Sequence, residues 1–384
     1  MCLYPKKIIN KKYTVTEKNG GNVPTPPIIG VDEFGYVKYD ERVLYVNVDC
    51  GNCIECRKKK ARDWQVRLNE EIKDYKYNYF ITLTFSPAGL REIMFKAKIH
   101  ECNAAAEYAL RHALERYRKD FKKSIKHWFV TELGHEGTER IHMHGLLFTD
   151  TELEFEKIKR MDQGWQVKWK YWKYGFVFLG DWVNAQSVNY LVKYMNKVDE
   201  DHKDYKSQVL ASPGIGRRYI EQIGKPTLHK YRPRATKDTY RLNNGAAVKL
   251  PKYYSNHFLN EDERELKWRE YMDQEEVTIM GNNYSEHVGN DTLERITTKA
   301  QEENKFYGYG TDEKEWKVKD YNITRRMLTD EEKKERLEKM KNKIINLHFE
   351  RTEPVNLEEY IELKKAGLKG SEINIIINKR GFNF

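Results

Sequence analysis

Apolar side chains recur along this chain with two periods, and the switches between them mark out its elements. The run YFITLTF (79–85) alternates apolar and polar positions, the signature of a strand with one buried face. HWFVT (127–131) and IHMHGLLF (141–148) read as two more strands, joined by the hairpin connection GHEGTER. Helical spacing governs elsewhere. Trp64, Leu68 and Ile72 stand at i, i+4 and i+8 in a basic helix running from Cys53 to about Tyr77. Leu110, Leu114, Tyr117, Phe121 and Ile125 form one stripe on a helix over roughly 103–126. A shorter helix is expected at 151–162, aromatic strands within 165–179, and a helix from about Ala185 to Lys197 carrying SVNYLVKYMNK.

This order, β-α-β-β-α-β and then a further helix, predicts an α+β fold. An antiparallel sheet would be flanked by helices, in the manner of ferredoxin-like or RNA-recognition-motif-like domains. Residues 1–44, with NGGNVPTPPIIG at their centre, read as an extended arm. Beyond about 256 the chain turns charged and helical. TDEEKKERLEKMKNKIINLHF opens on a capping box from Thr329 to Glu332 and carries a thin stripe of Leu337, Met340, Ile344 and Leu347. The expected organisation is an arm, cysteine cluster and basic helix (1–77), a core (78–200), an extension of that core (201–255) and a charged, mainly helical C-terminal region (256–384).

Composition narrows the function. Lysine and arginine number 69 against 59 aspartates and glutamates, a net charge of +10 over 384 residues. That excess suits a polyanionic partner such as nucleic acid. Aromatic residues make up 13% of the chain, including 26 tyrosines and 8 tryptophans, enough to build a core and to offer flat surfaces for unpaired bases. No apolar run is long enough to cross a bilayer, so no membrane partner is expected. The start, MCLYPKKIINKKYTV, shows neither the apolar core nor the cleavage site of a signal peptide. Five cysteines, three of them clustered, do not form a disulfide framework. A reducing cytoplasm is the expected location. GKPT (224–227) is not a phosphate-binding loop, so energy from ATP would have to come through another protein.

The stretch ERIHMHGLLF (139–148) carries the sharpest chemistry. On a strand His142 and His144 share one face, while Ile141, Met143 and Leu147 point to the other. The pair are either metal ligands or residents of a wet sheet face. A catalytic divalent metal needs a third ligand, and Glu132, across the hairpin from His142, is the best placed. Glu136 and Glu139 lie in the turn. Two imidazoles and a carboxylate suit Mg²⁺, Mn²⁺ or Zn²⁺. Further on, Tyr190 and Tyr194 are spaced i, i+4, so their phenols lie on one helix face, with Lys193 beside them. A cation, base or polarised phosphate nearby would make either phenol a nucleophile. The plain alternative is a tyrosine stripe packed on the sheet, although Leu191 and Met195 offer a separate packing face.

Cys50, Cys53 and Cys56 form C-x-x-C-x-x-C just before RKKKAR. Structural zinc takes four ligands, and Cys2, Cys102 or a histidine would have to complete the set. Reduced cysteines packed at a helix start are the other reading. Arg57, Lys58 and Lys59 are candidate phosphate contacts, or a solvated helix face.

HMH after a strand hairpin, an upstream glutamate and YLVKYMNK downstream together resemble the HUH endonucleases, in which the middle residue is bulky and apolar. The start MCLYPKKIINKKYT, CGNCIECRKKKARDW, SPGIGRRYI (212–220) and LPKYY (250–254) are similar to the rolling-circle replication initiators of the Microviridae, small single-stranded DNA phages. The resemblance spans roughly residues 1–255 and does not reach the C-terminal region. It implies that His142 and His144 ligate the metal, with Glu132 in the place of the acidic ligand. Thr131 precedes that glutamate where a glycine is common. It also implies that Tyr190 and Tyr194 are paired nucleophiles. The activity implied is nicking of origin DNA with a 5′-phosphotyrosine link, using Mg²⁺ or Mn²⁺, alongside a host helicase and polymerase in the cytoplasm of the bacterial host. Two other classes stay open: a transposase or relaxase of the same superfamily, and a protein that only binds single-stranded nucleic acid.

Overall fold

The computed structural model describes residues 1–134, 139–198, 205–274, 277–284, 289–311, 330–349, 353–365 and 368–381. Three strands form the centre of its main sheet: β1 (Tyr77–Thr84), β2 (Lys126–Leu133) and β3 (Ile141–Thr149). They are joined by β4 (Glu156–Met161), β5 (Gly164–Lys168), β6 (Val177–Gly180) and β7 (Val209–Ala211). The seven lie in the order β7-β2-β3-β1-β6-β5-β4, antiparallel throughout. Helices α1 (Ile54–Glu71), α2 (Pro87–Ala97), α3 (Cys102–Phe121) and α4 (Ala185–Asn196) flank it. The α+β class expected from the pattern is the one found.

Alternation along β1–β3 divides the core in two. Ile81, Leu83, Phe129, Leu133, Ile141, Met143 and Leu147 pack on one face against Ala105, Ala109, Leu110 and Tyr117 of α3. Trp128, Val130, Leu146 and Phe148 pack on the other against Leu68 of α1 and Val188, Leu191, Val192 and Met195 of α4. A fully buried side chain of this size contributes about 1.5–3 kcal/mol, so a one-residue slip of β3 would forfeit both layers. Gly145 interrupts the bulky run of β3 because the Phe129 ring lies over it. A Cβ there would stand 2.3 Å from Phe129 Cδ1 and 2.4 Å from the Trp128 carbonyl oxygen.

Several elements differ from the sequence reading. The helix expected at 151–162 is absent, and 156–161 is instead the edge strand β4, paired with β5. Its six residues, EKIKRM, are all exposed, as suits a charged sheet edge that resists pairing with other chains. The Met161–Gly164 pair closes a tight turn in which Gln163 has φ 56°, so hairpin pairing overrides the helix-forming composition. Helix α3 stops at Phe121, where Lys122 takes a left-handed conformation. Ile125 therefore joins the same core from beyond the helix. Strand β7 is too short to stand out in the pattern.

The N-terminal segment is not a free arm. Lys6–Ile9 pairs with Tyr45–Val48, Ile28–Val31 pairs with Val37–Tyr39, and Leu3 is buried. The C-terminal region is mainly helical, with helices at Asn290–Phe306, Asp330–Phe349, Leu357–Lys365 and Gly370–Arg380. Val355, Leu363, Leu368, Ile373 and Ile376 form a small core there, with Ile344 packed against it. Thr329, and the side chains of Leu337, Met340 and Leu347, lie outside the described residues. Among the described residues no helix is long and apolar enough to cross a membrane.

Candidate metal centre and tyrosine pair

Strand register builds the first half of the site. Glu132 on β2 stands directly opposite His142 on β3, and Thr82 on β1 stands opposite His144. All four side chains emerge on the face covered by α1 and α4. Glu132 Oε2 is 3.0 Å from His142 Nε2 and 3.0 Å from His144 Nε2, so both imidazoles converge on one carboxylate oxygen. Each ring is steadied through its other nitrogen. His142 Nδ1 lies 3.3 Å from the Arg140 carbonyl oxygen, and His144 Nδ1 lies 3.0 Å from Thr82 Oγ1.

These contacts test whether a cation fits. A carbonyl oxygen only accepts, so His142 must donate through Nδ1. In the neutral ring Nε2 then carries a lone pair aimed at a carboxylate 3.0 Å away, which is favourable only with a proton or a metal ion between them. Outer partners on the far nitrogen are what ligating histidines ordinarily have. Burial pushes the His144 imidazole below its ordinary value, against the pull of Glu132, and so favours the neutral form a metal requires. Burial pushes the Glu132 carboxyl up, but hydrogen bonds and attraction from the two imidazoles outweigh it and leave it at about 2. The donor set is charged, convergent and within reach of one ion: its ligand atoms all lie within 4.8 Å of one another. Octahedral bonds of about 2.1 Å place neighbouring ligands about 3 Å apart, which matches the spacing here. Glu139 sits in the connection with φ 50° and is not part of this group, and Glu136 lies outside the described residues.

Helix α4 supplies the second half. Asn184 caps it by accepting hydrogen bonds from the backbone N–H groups of Gln186 and Ser187, which fixes the helix start two turns before the tyrosines. Val188, Leu191, Val192 and Met195 are buried against the sheet. The tyrosines are thereby turned to the flank above the histidines, and the packing role falls to the separate apolar face. The Tyr194 ring stacks on His144, with centroids 4.5 Å apart and planes 6° from parallel. Tyr190 meets the same imidazole edge-on at 6.2 Å and packs on Phe80 at 6.0 Å. The Tyr194 hydroxyl donates to the Tyr190 hydroxyl. Burial, the bond to Tyr190 and the Glu132 carboxylate all push the Tyr194 phenol well above its ordinary value. Tyr190 is 46% exposed, which leaves its oxygen the more accessible of the two. Lys193 is exposed on the same helix.

Thr82 and Phe80 are the site residues that pattern reading missed. Both lie in YFITLTF at alternate positions, so the shared face was visible, but their neighbours depend on how β1 pairs with β3. The cysteines belong to a separate cluster. Of the two cysteines considered as a fourth partner, Cys2 joins Cys50, Cys53 and Cys56, whereas Cys102 lies in the main core. In the basic stretch Arg57 is buried, contrary to its expected place on a phosphate-contacting surface, because its side chain turns inward to the Asn52 carbonyl oxygen and the Tyr309 ring. Lys58 is half-buried, and Lys59 is exposed and paired with Asp49 at 2.6 Å.

Comparison with known proteins agrees with the family expected from the sequence. Residues 78–199 match the family of replication-associated proteins typified by ORF2. The chain is 28% identical over 261 residues to the replication-associated protein ORF2 of Spiroplasma virus 4, covering 62% of this chain and 75% of that protein. It is 26% identical over 239 residues to the replication-associated protein VP4 of Bdellovibrio phage phiMH2K, covering 58% and 70%. No solved structure matches. The likeness supports the role of a replication initiator of a single-stranded DNA phage.

Proposed function

From that likeness to phage replication initiators we propose that this chain nicks and rejoins single-stranded origin DNA by tyrosine attack. The observation that carries the reading is the stacking of Tyr194 on His144, with its hydroxyl bonded to that of Tyr190. Two phenols on one helix thus stand over a convergent carboxylate–imidazole set, an arrangement that serves phosphodiester chemistry better than it serves packing.

Glu132, His142 and His144 would hold a divalent cation, Mg²⁺ or Mn²⁺. Such an ion supplies a positive charge that polarises a phosphate oxygen and offsets charge built up in the transition state. The chain does the rest. A tyrosine oxygen attacks phosphorus, the bond from phosphorus to the 3′ oxygen breaks, and the phenolic proton passes to the departing oxygen. The products are a 5′-phosphotyrosine and a free 3′-hydroxyl. The new ester keeps the phosphodiester's free energy, so rejoining requires no nucleotide. Tyr190, the more exposed phenol, takes the first strand. Tyr194 donates a hydrogen bond to the attacking oxygen and then serves the second cut. Lys193 supplies positive charge to the bound backbone, Lys58 and Lys59 extend the phosphate contacts, and the 3′-hydroxyl primes a host polymerase behind a host helicase.

Incubating the protein with end-labelled single-stranded origin DNA, with and without Mn²⁺, tests this. The expected result is a metal-dependent cut that leaves the protein on the 5′ end of the downstream fragment, seen on a denaturing gel. Binding without cleavage would leave a nucleic-acid-binding protein. A protein-linked 3′ end would overturn the mechanism.

A further inference from the structure

We propose that Cys2, Cys50, Cys53 and Cys56 together bind one zinc ion in a closed structural site. The three cysteines of C-x-x-C-x-x-C fall one short of a complete shell, and the fold brings the fourth from the start of the chain. Among the described residues the four sulfurs lie within 4.8 Å of one another. Cys50 Sγ and Cys56 Sγ are 3.8 Å apart. A tetrahedron with zinc–sulfur bonds of about 2.3 Å has edges of about 3.8 Å, and a disulfide would need about 2.05 Å.

Backbone and charge around the sulfurs point the same way. The amides of Tyr4 and Cys50 donate to Cys2 Sγ at 3.4 and 3.3 Å, and that of Cys53 donates to Cys50 Sγ at 3.4 Å. Such donors stabilise thiolates, the form that binds metal. A zinc ion on four thiolates carries two net negative charges and needs cations nearby. Arg57, 7% exposed, supplies one, and its Nη2 has no hydrogen-bond partner among the described residues. Lys206 lies close by, its ammonium 2.7 Å from Asn52 Oδ1 in the cysteine loop. Against four neutral thiols this buried guanidinium would be uncompensated, which is costly.

The purpose is mechanical. Cys53 and Cys56 lie at the start of α1, Cys50 in the preceding loop, and Cys2 beside an N-terminal amine that bonds the Thr278 carbonyl oxygen at 2.6 Å. Asn304 of helix Asn290–Phe306 accepts from the Ile54 amide at 2.8 Å. Few apolar residues surround this junction: Leu3, Ile54, Ile279 and Ala300 are the buried ones besides the cysteines. A metal would clamp these distant segments where the core is thin, and four sulfurs leave no open position for chemistry.

The inference does not depend on the nicking reading, and its test does not use activity. The full chain, purified under reducing conditions, is analysed for zinc and then loaded with Co²⁺. One zinc per chain is expected, with the thiolate-to-cobalt charge-transfer absorption of a tetrathiolate site. His142→Ala should keep both signals, whereas Cys2→Ser should lose the tetrathiolate spectrum. If Cys2→Ser does not fold, the wild-type and His142→Ala cobalt spectra decide alone. Wild-type protein that folds with four freely titrating thiols and no thiolate–cobalt band overturns the proposal. So does a zinc ion lost from His142→Ala and retained by Cys2→Ser.

Discussion

Tyr194 lies flat on His144, at a centroid distance of 4.5 Å and 6° from parallel, while its hydroxyl reaches Tyr190. A proposed metal ligand and a proposed nucleophile therefore share one packing surface, and neither ring moves without the other. Replacing either phenol by phenylalanine keeps the ring and removes only the hydroxyl. Tyr190→Phe should slow the first cut by about tenfold or more, equivalent to at least about 1.4 kcal/mol, and Tyr194→Phe should slow it less. Either variant should fail at strand transfer, which needs both ends held. The double variant should form no covalent adduct, and an adduct on a denaturing gel would count against the tyrosine assignment.

Thr82 holds His144 from behind. Removing such an outer partner typically costs about 10–100-fold in metal affinity or activity. Thr82→Val, which keeps the β-branched shape, should therefore weaken Mn²⁺ binding by that range and leave the melting temperature near that of the wild type. His142→Ala, His144→Ala and Glu132→Ala should remove cleavage with the fold retained, since all three side chains lie at the open flank of the sheet face. Titration calorimetry with Mn²⁺ and circular dichroism separate the two effects. Wild-type affinity in Thr82→Val would show that the hydroxyl does not position the ring.

Burial of Arg57 narrows the proposed phosphate surface to its neighbours. Lys58→Ala with Lys59→Ala should flatten the dependence of log K on log salt for single-stranded DNA, by about 0.7 for each phosphate no longer neutralised. An unchanged slope would return this run to an ordinary solvated helix face.

Asp40 ties the N-terminal segment to the helix Glu261–Asp273. Its carboxylate, 1% exposed, accepts from Arg42 Nε at 2.8 Å and from Arg269 Nε at 3.0 Å. The Arg42 hydrogen bond, followed by that of Arg269, outweighs burial and holds the carboxyl below its ordinary value. A lowered carboxylate stabilises the fold fully above its unfolded value of about 3.9, and that stabilisation is lost as the pH falls through the folded value. Asp40→Asn should destabilise the protein by about 3 kcal/mol at neutral pH, the low end for a broken buried pair because both arginines reach solvent. The gap from wild type should close on acidification below about pH 4. Urea titrations across that range measure it, and a pH-independent gap would assign the loss to packing.

Local patterning determined much of this protein. Alternation in YFITLTF and IHMHGLLF was enough to put His142 and His144 on one strand face, because a strand has only two faces. The i, i+4 spacing put Tyr190 and Tyr194 on one side of a helix, and Leu191 and Met195 showed that the helix had another face to bury. Where local preference and long-range pairing competed, the sequence alone misled. EKIKRM has helix-forming composition, yet it is a strand because Gly164–Lys168 lies beside it.

Only the tertiary structure decided which separate pieces meet. That Thr82 backs His144 depends on the register of β1 against β3. The union of Cys2 with Cys50, 48 residues away, depends on the N-terminus folding back. The inward turn of Arg57 depends on Tyr309, which approaches from beyond residue 300. Short-range periodicity reports which face a side chain occupies. It carries no information about what the rest of the chain brings to that face, because those contacts are set by packing between segments far apart in sequence.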